Sequence, residues 1–245
     1  MQVIRGFSQP SHDRIALTIG NFDGVHRGHQ AMLSRLSEAA DDLALPPAVL
    51  TFEPHPREFF ARESAPPRLS TLRDKLERFA SLGMARVHVA RFDASLAKLS
   101  AEEFIDQILV STLKVGWILV GDDFRFGHDR VGDLALLREK AATFSVEAMP
   151  TVAIDGERAS STAVRSALAL GNVEHAAKLL GRPYIISGHV AHGDKLGRDL
   201  GFPTANVVLR HKPALSGIFA VRVHGLGDAR TCFVAEAADP DRENP

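Results

Sequence analysis

The chain has 245 residues, of which 45% are hydrophobic and 24% are charged, a composition typical of a globular protein with a sizeable core. Its 29 Lys and Arg residues nearly balance its 30 Asp and Glu residues, which argues against a protein that coats nucleic acid or an acidic membrane. The single cysteine, Cys232, excludes an internal disulfide framework and a cysteine-based zinc cluster, and no apolar run approaches the ~20 residues of a membrane span.

Strand-like and helix-like segments alternate from residue 15 to about residue 180. The predicted strands cover 15–19, 48–52, 86–90 and 117–120, and the predicted helices cover 30–40, 71–82, 101–113 and 134–144. Ser100 and Glu103 form a capping box at the start of the third helix. The alternation predicts an α/β fold, a doubly wound parallel sheet with helices on both faces. The loops starting at Gly20, Glu53 and Gly121 each follow a strand, so we expect them to meet at the ligand-binding edge of the sheet.

The pattern changes after Pro183. Short strand-like runs separated by Gly and Pro turns replace the helical periods, at 185–190, 206–209, 218–223 and 231–234. We therefore predict an α/β domain over 1–183, followed by a small, incomplete all-β barrel-like domain over 184–245. An incomplete barrel exposes a β edge, which favours self-association.

The segment GNFDGVHRGH, residues 20–29, carries the most specific chemical signal. It places a glycine-rich turn after a strand and two histidines, His26 and His29, at the start of a helix. The amide groups and the positive dipole end of a helix N-terminus attract phosphate, and imidazole N–H groups stabilise charge that develops on a phosphoryl group. The structural alternative is an ordinary βα turn. The pattern predicts an enzyme that handles nucleotides.

Three further segments suit ligand binding but also have simpler structural explanations. TFEPHP, residues 51–56, precedes Phe59 and Phe60, whose rings offer a stacking surface for a flavin-like ring or pack in the core. GDDFRFG, residues 121–127, is either a ligand loop or a solvated turn. In SSTAVR, residues 160–165, the hydroxyl groups and the arginine suit a pyrophosphate clamp, although one of the first three residues is also expected to cap a helix.

The second domain contains GDKLGRDLGFPTAN, residues 193–206, a glycine-dense loop. Such loops let backbone amides approach phosphate closely, although a simple barrel-rim loop has the same composition. Thr204 and Asn206 offer the hard oxygen ligands that suit Mg²⁺. The Walker-type motif is absent from the sequence, which excludes a P-loop kinase.

In this order, the five segments resemble the bacterial bifunctional riboflavin kinase/FAD synthetases, and the first resembles the HxGH signature of nucleotidyltransferases. The resemblance extends from about residue 15 to residue 223. It implies that the N-terminal domain makes FAD and pyrophosphate from FMN and ATP, and that the C-terminal domain phosphorylates riboflavin to FMN. ATP, FMN and riboflavin are then the substrates, with Mg²⁺ as cofactor. We expect a cytoplasmic enzyme with no nucleic-acid or membrane partner.

The resemblance also implies roles for individual residues of this chain. The implied catalytic residues are His26, His29 and Arg165. The implied ATP-binding residues are Gly20, Asn21, Phe22, Asp23, Gly24, Gly28, Ser161 and Thr162. The implied FMN-binding residues are Pro54, His55, Pro56, Phe60, Asp123 and Phe126. The implied kinase loop comprises Gly188, Gly193, Lys195, Gly197, Gly201 and Pro203, with Thr204 and Asn206 as Mg²⁺ ligands.

One departure concerns the kinase domain. In the family this domain continues past the strand matched here by residues 217–221 and includes a later glutamate base, whereas residues 235–240 do not resemble that continuation. The kinase half therefore looks truncated, and we expect riboflavin phosphorylation to be weak or absent while FMN adenylylation persists. Two alternatives stay open: a nucleotidyltransferase for another small phosphate acceptor, and an inactive flavin- or nucleotide-binding remnant.

Overall fold

The computed structural model describes residues 1–7, 11–191, 205–209, 211–224 and, by backbone alone, 232–237. Its strands are β1 (Gln2–Arg5), β2 (Ile15–Ile19), β3 (Pro47–Glu53), β4 (Arg86–Arg91), β5 (Val115–Gly121), β6 (Ser145–Met149), β7 (Ala153–Ile154), β8 (Glu157–Arg158), β9 (His189–Ala191), β10 (Asn206–Val208), β11 (Gly217–Arg222) and β12 (Cys232–Ala237). Its helices are α1 (Arg27–Asp42), α2 (Pro56–Phe60), α3 (Leu72–Ser81), α4 (Ala94–Lys98), α5 (Ala101–Glu103) continued by a π-helix (Phe104–Thr112), α6 (Leu134–Glu139), α7 (Ser161–Ala169) and α8 (Val173–Leu180). None of the helices in these ranges has the length and apolar character needed to cross a bilayer.

Within the described residues, six strands form one sheet in the order β1-β4-β3-β2-β5-β6, and all neighbouring strands are parallel. β2 is buried at every position, as expected for a central parallel strand covered on both faces. From β2 the chain adds β3 and β4 on one side of the sheet and then β5 and β6 on the other side, so the direction in which strands are added reverses between β2 and β5. This topological switch point is where ligands bind in open α/β sheets, and the loops that start at Gly20 and Gly121 lie on its two sides.

Helices pack against both faces of the sheet. Successive residues of a strand point to opposite faces, so neighbouring residues of β2 contact different helices. Leu17 belongs to a buried cluster that includes Ile105 of the π-helix. Its neighbour Ala16 belongs to a second cluster, which contains Leu33 of α1 and Phe79 of α3. The predicted doubly wound parallel sheet is therefore confirmed.

The structure differs from the sequence prediction at four elements of this sheet and its helices. The predicted helix over 134–144 ends at Glu139, because the chain must turn to enter β6. The edge strands β1 and β6 escaped prediction, since they are only four and five residues long and their residues are exposed or half-buried. The third predicted helix is present, but its turns widen after Glu103, so that the Leu113 amide donates to the Ile108 carbonyl.

The chain divides into two compact units, the first formed by Met1–Pro66 and Leu72–Ala159 and the second by Pro67–Thr71 and Ser160–Pro245. In the second unit α7 contacts α8, which ends at Gly181 in a left-handed conformation with φ 71°. The described residues there also form two antiparallel strand pairs, β9 with β10 and β11 with β12. The predicted strand over 185–190 begins only at His189, where pairing with β10 starts. The domain bounds expected from the sequence, 1–183 and 184–245, place α7 and α8 in the first domain, whereas here they belong to the second unit. Those bounds stay a prediction.

His88 is a buried titratable side chain in β4, and its Nε2 atom has no hydrogen-bond partner among the described residues. Burial, helped by the charge of Arg86, lowers the pKa of His88 from its ordinary value of 6.5 to about 4. Below pH 6.5 the His88 ring becomes protonated in the unfolded chain, whereas in the folded chain it stays mostly neutral down to about pH 4. Stability contributed by the neutral ring is therefore present above pH 6.5 and is lost as the pH falls through this window.

We expect wild-type protein to lose up to about 3 kcal/mol more unfolding free energy between pH 7 and pH 4 than the variant His88→Leu, which cannot titrate there. Urea denaturation of both proteins across this pH range measures the difference. Equal losses in the two proteins would contradict the assignment to His88.

Candidate active site

Residues 20–26 join β2 to α1 along an unusual backbone path. Phe22 and Val25 have left-handed φ angles of 50° and 41°, and Gly24 has a φ of 77°. Only glycine adopts such angles without strain, so the surrounding structure must hold the other two in place. The Asn21 carbonyl accepts hydrogen bonds from Thr51 Oγ1 and from Lys75 Nζ, each at 3.3 Å. The loop is therefore fixed from both β3 and α3.

His26 caps the N-terminus of α1. Its Nδ1 atom accepts a 3.4 Å hydrogen bond from the His29 amide, so the proton of the neutral ring is placed on Nε2. The first turn of this 16-residue helix contains no acidic side chain that would neutralise its positive dipole end. The site thus presents an imidazole donor at a helix end that favours anions.

His29 lies against His26 one turn into α1, with ring centroids 3.7 Å apart and an interplanar angle of 24°. Its own Nδ1 atom is buried and has no hydrogen-bond partner among the described residues, which is costly unless a ligand supplies one. Burial, together with the charges of His26 and Lys75, holds the pKa of His29 well below its usual range. Near neutral pH His29 therefore works through a neutral imidazole group.

The structure brings most of the predicted ATP-binding residues of the first unit together at this loop, where they lie with the two histidines: Gly20, Asn21, Asp23, Gly24 and Gly28. Phe22, the remaining predicted ATP-binding residue of this segment, has its side chain in the core. Its side chain is 1% exposed and packs edge-on against Phe79 at 5.3 Å, because the left-handed backbone turns it into the core. The ring also lies 4.9 Å from that of His29 and supports it from the core side.

A side chain at Gly28 would be crowded by its neighbours. A Cβ atom would lie 3.0 Å from the Ala159 carbonyl oxygen and 3.2 Å from the His26 ring. We expect Gly28→Ala to displace the His26 ring and to lower kcat for the reaction at this site roughly 10- to 100-fold, measured by steady-state kinetics. The control is Gly83→Ala, where a Cβ meets nothing within 4 Å, although a φ of 80° makes it a mildly strained substitution. Unchanged kcat in Gly28→Ala would contradict this account.

The segment after β3 forms a short capped helix rather than an open loop. His55 Nδ1 accepts from the Arg57 amide at 3.1 Å, and the Glu58 carboxylate accepts from the His55 amide at 3.2 Å. This capping box fixes Pro54, His55 and Pro56 at the carboxyl edge of the sheet, and their role in binding FMN stays a prediction.

An aromatic cluster of Phe59, Phe60 and Phe92 follows β3 and β4. Its ring centroids lie 5.2 to 5.6 Å apart, and the Phe60 side chain is 69% exposed. Exposed apolar rings grouped in this way offer a surface for a planar ligand. Sequence analysis found Phe60 but missed Phe92, whose signal is its place directly after β4, the strand next to β3.

The segment after β5 separates its two predicted FMN-binding residues. Asp123 is exposed, and its Oδ2 atom accepts from Arg158 Nη2 at 2.5 Å. Phe126 is 6% exposed and packs against Phe124 and Phe104, so its ring lies in the core. Sequence analysis missed Arg158, which lies in β8, a two-residue strand with no periodic pattern.

In the second unit, Ser160 is the cap of α7, since its Oγ atom accepts from the Ala163 amide at 3.1 Å. Ser161 and Thr162 form the first turn of α7, and Arg165 Nε donates to the Pro67 carbonyl at 2.7 Å. These contacts lie within that unit, and a phosphate-binding role for the three residues stays a prediction.

The predicted kinase loop lies mostly outside the described residues. Gly188 precedes β9, and Asn206 begins β10 with an exposed side chain. Across the described ranges, no group of three or more His, Cys, Asp or Glu side chains is arranged to hold a metal. The predicted residues that fall outside the description are Gly193, Lys195, Gly197, Gly201, Pro203 and Thr204.

A doubly wound parallel sheet that brings two histidines to a helix N-terminus beside its switch point defines a nucleotidyltransferase of the HxGH class. Residues 8–163 match the family model described as FAD synthetase, and residues 180–240 match the model described as Riboflavin kinase. The chain belongs to the family of bifunctional riboflavin kinase/FMN adenylyltransferases.

Individual relatives agree with this assignment. The bifunctional riboflavin kinase/FMN adenylyltransferase of Escherichia coli strain K12 is 49% identical over 234 residues, covering 93% of this chain and 75% of the relative. The Pseudomonas fluorescens protein of the same name is 50% identical over 228 residues, covering 91% and 73%. A solved structure named Macrolide-efflux Protein, from Streptococcus pneumoniae, superimposes with a TM-score of 0.77 at 28% identity, covering 90% of this chain and 74% of that one. This likeness supports the fold over nearly the whole chain.

Proposed function

We propose that the chain transfers AMP from ATP to FMN, which yields FAD and pyrophosphate. The observation that carries the proposal is the stacked pair His26 and His29 at the N-terminus of α1. Membership of the family supports FMN as the acceptor, and the family's substrates are ATP, FMN and riboflavin. An oxygen of the FMN phosphate attacks the α-phosphorus of ATP. The bond from that phosphorus to the bridging oxygen breaks, and the oxygen leaves with pyrophosphate.

This reaction needs no protein nucleophile. Most of the barrier to such transfers is lowered by positioning the reactants and by stabilising charge on the phosphoryl oxygens. The imidazole groups of His26 and His29 donate hydrogen bonds to those oxygens, and the dipole of α1 adds a fixed positive potential. The loop between β2 and α1 lowers the free-energy cost of reaching the transition state, because its donors are already oriented when charge develops.

We assign the flavin end of FMN to the segment after β3. The aromatic cluster of Phe59, Phe60 and Phe92 offers the apolar surface that an isoalloxazine ring needs. The structure gives no such support to Phe126, whose ring is in the core. In this proposal Mg²⁺ binds together with ATP, because phosphate oxygens are ligands that Mg²⁺ prefers. The Mg²⁺ roles of Thr204 and Asn206, the cytoplasmic location and the self-association expected from the sequence stay predictions.

Phosphorylation of riboflavin is the second candidate activity. It is favoured by the match of residues 180–240 to the Riboflavin kinase model. The chain spans about three quarters of the length of its curated relatives, so this activity has to be tested on the chain itself.

A single experiment separates these functions. The purified chain is incubated with Mg-ATP and either FMN or riboflavin, the flavins are separated by chromatography, and pyrophosphate is assayed. FAD and pyrophosphate formed from FMN are the expected result. FMN formed from riboflavin demonstrates kinase activity. Binding of ATP and FMN without pyrophosphate release would contradict the proposed reaction and favour a binding remnant, and transfer to a different acceptor would favour another nucleotidyltransferase.

A further inference from the structure

Lys75 occupies a position where an apolar side chain is expected. Its helix, α3, turns Leu72, Leu76 and Phe79 toward the core, and Lys75 lies on the same face with only 4% of its surface exposed. Lysine is almost never buried to this extent unless its ammonium group is paired, since removing the charge from water is costly. The burial therefore implies a specific task for the charged end.

The ammonium group reaches the backbone of the histidine loop. Lys75 Nζ lies 3.3 Å from the Asn21 carbonyl oxygen, and the same oxygen accepts a 3.3 Å hydrogen bond from the buried Thr51 hydroxyl. Two donors from different elements thus orient the peptide group between Asn21 and Phe22. Immediately after this peptide, Phe22 enters its left-handed conformation.

A series of contacts connects this peptide group to the catalytic pair His26 and His29. The Phe22 ring lies 4.9 Å from the His29 ring, which in turn stacks on His26. A turn hydrogen bond of 3.2 Å from the Val25 amide to the Phe22 carbonyl closes the loop just before α1. Rotation of the Asn21 peptide would therefore move the supports of both imidazole rings.

We propose that Lys75 is a positioning residue for adenylyl transfer, which clamps the Asn21 carbonyl and so sets the path of the loop that carries His26 and His29. This inference rests on the proposed function. Lys75 acts through the loop backbone, so its loss affects the rate at which bound substrates react more than their binding.

The test compares Lys75→Met, Lys75→Arg and wild type, with Arg73→Met as a matched control. Arg73 lies on the same helix but is exposed and pairs with Glu77. Methionine fits the apolar face, so the unfolding free energy of Lys75→Met is expected to equal or exceed that of wild type. Its kcat for FAD formation should fall roughly 10- to 100-fold, with both KM values within about threefold of wild type. Lys75→Arg should recover part of the loss, and Arg73→Met should behave as wild type.

Amide hydrogen exchange gives a readout that does not depend on activity. Faster exchange of the Val25 amide in Lys75→Met, with unchanged exchange in the central strands, is the expected result. An unchanged kcat together with unchanged Val25 exchange would overturn the proposal. If wild type forms no FAD, the proposed function fails, while the exchange measurement still decides whether Lys75 clamps the loop. If Lys75→Met does not fold, Lys75→Gln, which keeps a donor but loses the charge, is judged by the same criteria.

Discussion

Replacing His29 by alanine is expected to lower kcat for FAD formation roughly 100- to 1,000-fold, the usual cost of removing one oriented donor to a developing oxyanion. The neutral His29 ring is pre-oriented by its stacking on His26 and by Phe22 beneath it. Water that enters the space left by the ring cannot reproduce this orientation. Steady-state kinetics with Mg-ATP and FMN measure the effect, and binding of FMN should change little.

The matched control for this variant is His12→Ala, which removes an exposed histidine of the same unit. It should leave kcat unchanged. Urea unfolding of His29→Ala shows whether the fold is kept, so that a loss of activity is not confused with a loss of structure. A kcat near that of wild type in His29→Ala would remove this residue from the mechanism.

The second large effect is expected on stability. Phe22→Ala should lower the unfolding free energy by about 3–5 kcal/mol, because it empties a core position that is 1% exposed. It also removes the edge-on contact with Phe79 and the support beneath His29. Activity should therefore fall even at temperatures where the variant is folded. Denaturant unfolding combined with kinetics measures both effects.

Phe60→Ala is the matched control, since it removes the same side chain from a site that is 69% exposed. Its unfolding free energy should stay within about 0.5 kcal/mol of wild type, as for most surface substitutions. If it belongs to the flavin surface, the KM for FMN should rise instead. Equal destabilisation by the two alanine variants would contradict the division between a core phenylalanine and a surface one.

The sheet and the histidine loop were predictable because their signals are local. β2 is apolar at every position but Thr18, and the two histidines follow a glycine-rich turn at the start of a helical pattern. Parallel topology then places the loops after β2, β3 and β5 at one edge without further information. The capping box of Ser100 and Glu103 was equally local and is confirmed.

The features that escaped prediction depend on contacts between distant residues. Lys75 looks like an ordinary surface lysine until the fold buries it against Asn21, 54 positions earlier. Arg158 pairs with Asp123, 35 positions away, and Phe92 joins Phe59 and Phe60 only because β4 lies beside β3. The family resemblance implies ligand contacts for Phe22 and Phe126 because a motif shows which residues occur together, but it does not show their burial, which depends on how the folded backbone directs each side chain.

The central claim is that the His26 and His29 rings donate to the phosphates of the nucleotide. A crystal structure of the chain with FMN and an ATP analogue that cannot be cleaved between its α- and β-phosphates tests this claim most directly. We predict imidazole nitrogen atoms of both residues within hydrogen-bond distance, about 3 Å, of phosphate oxygens. A bound nucleotide whose phosphates contact neither ring would contradict the account.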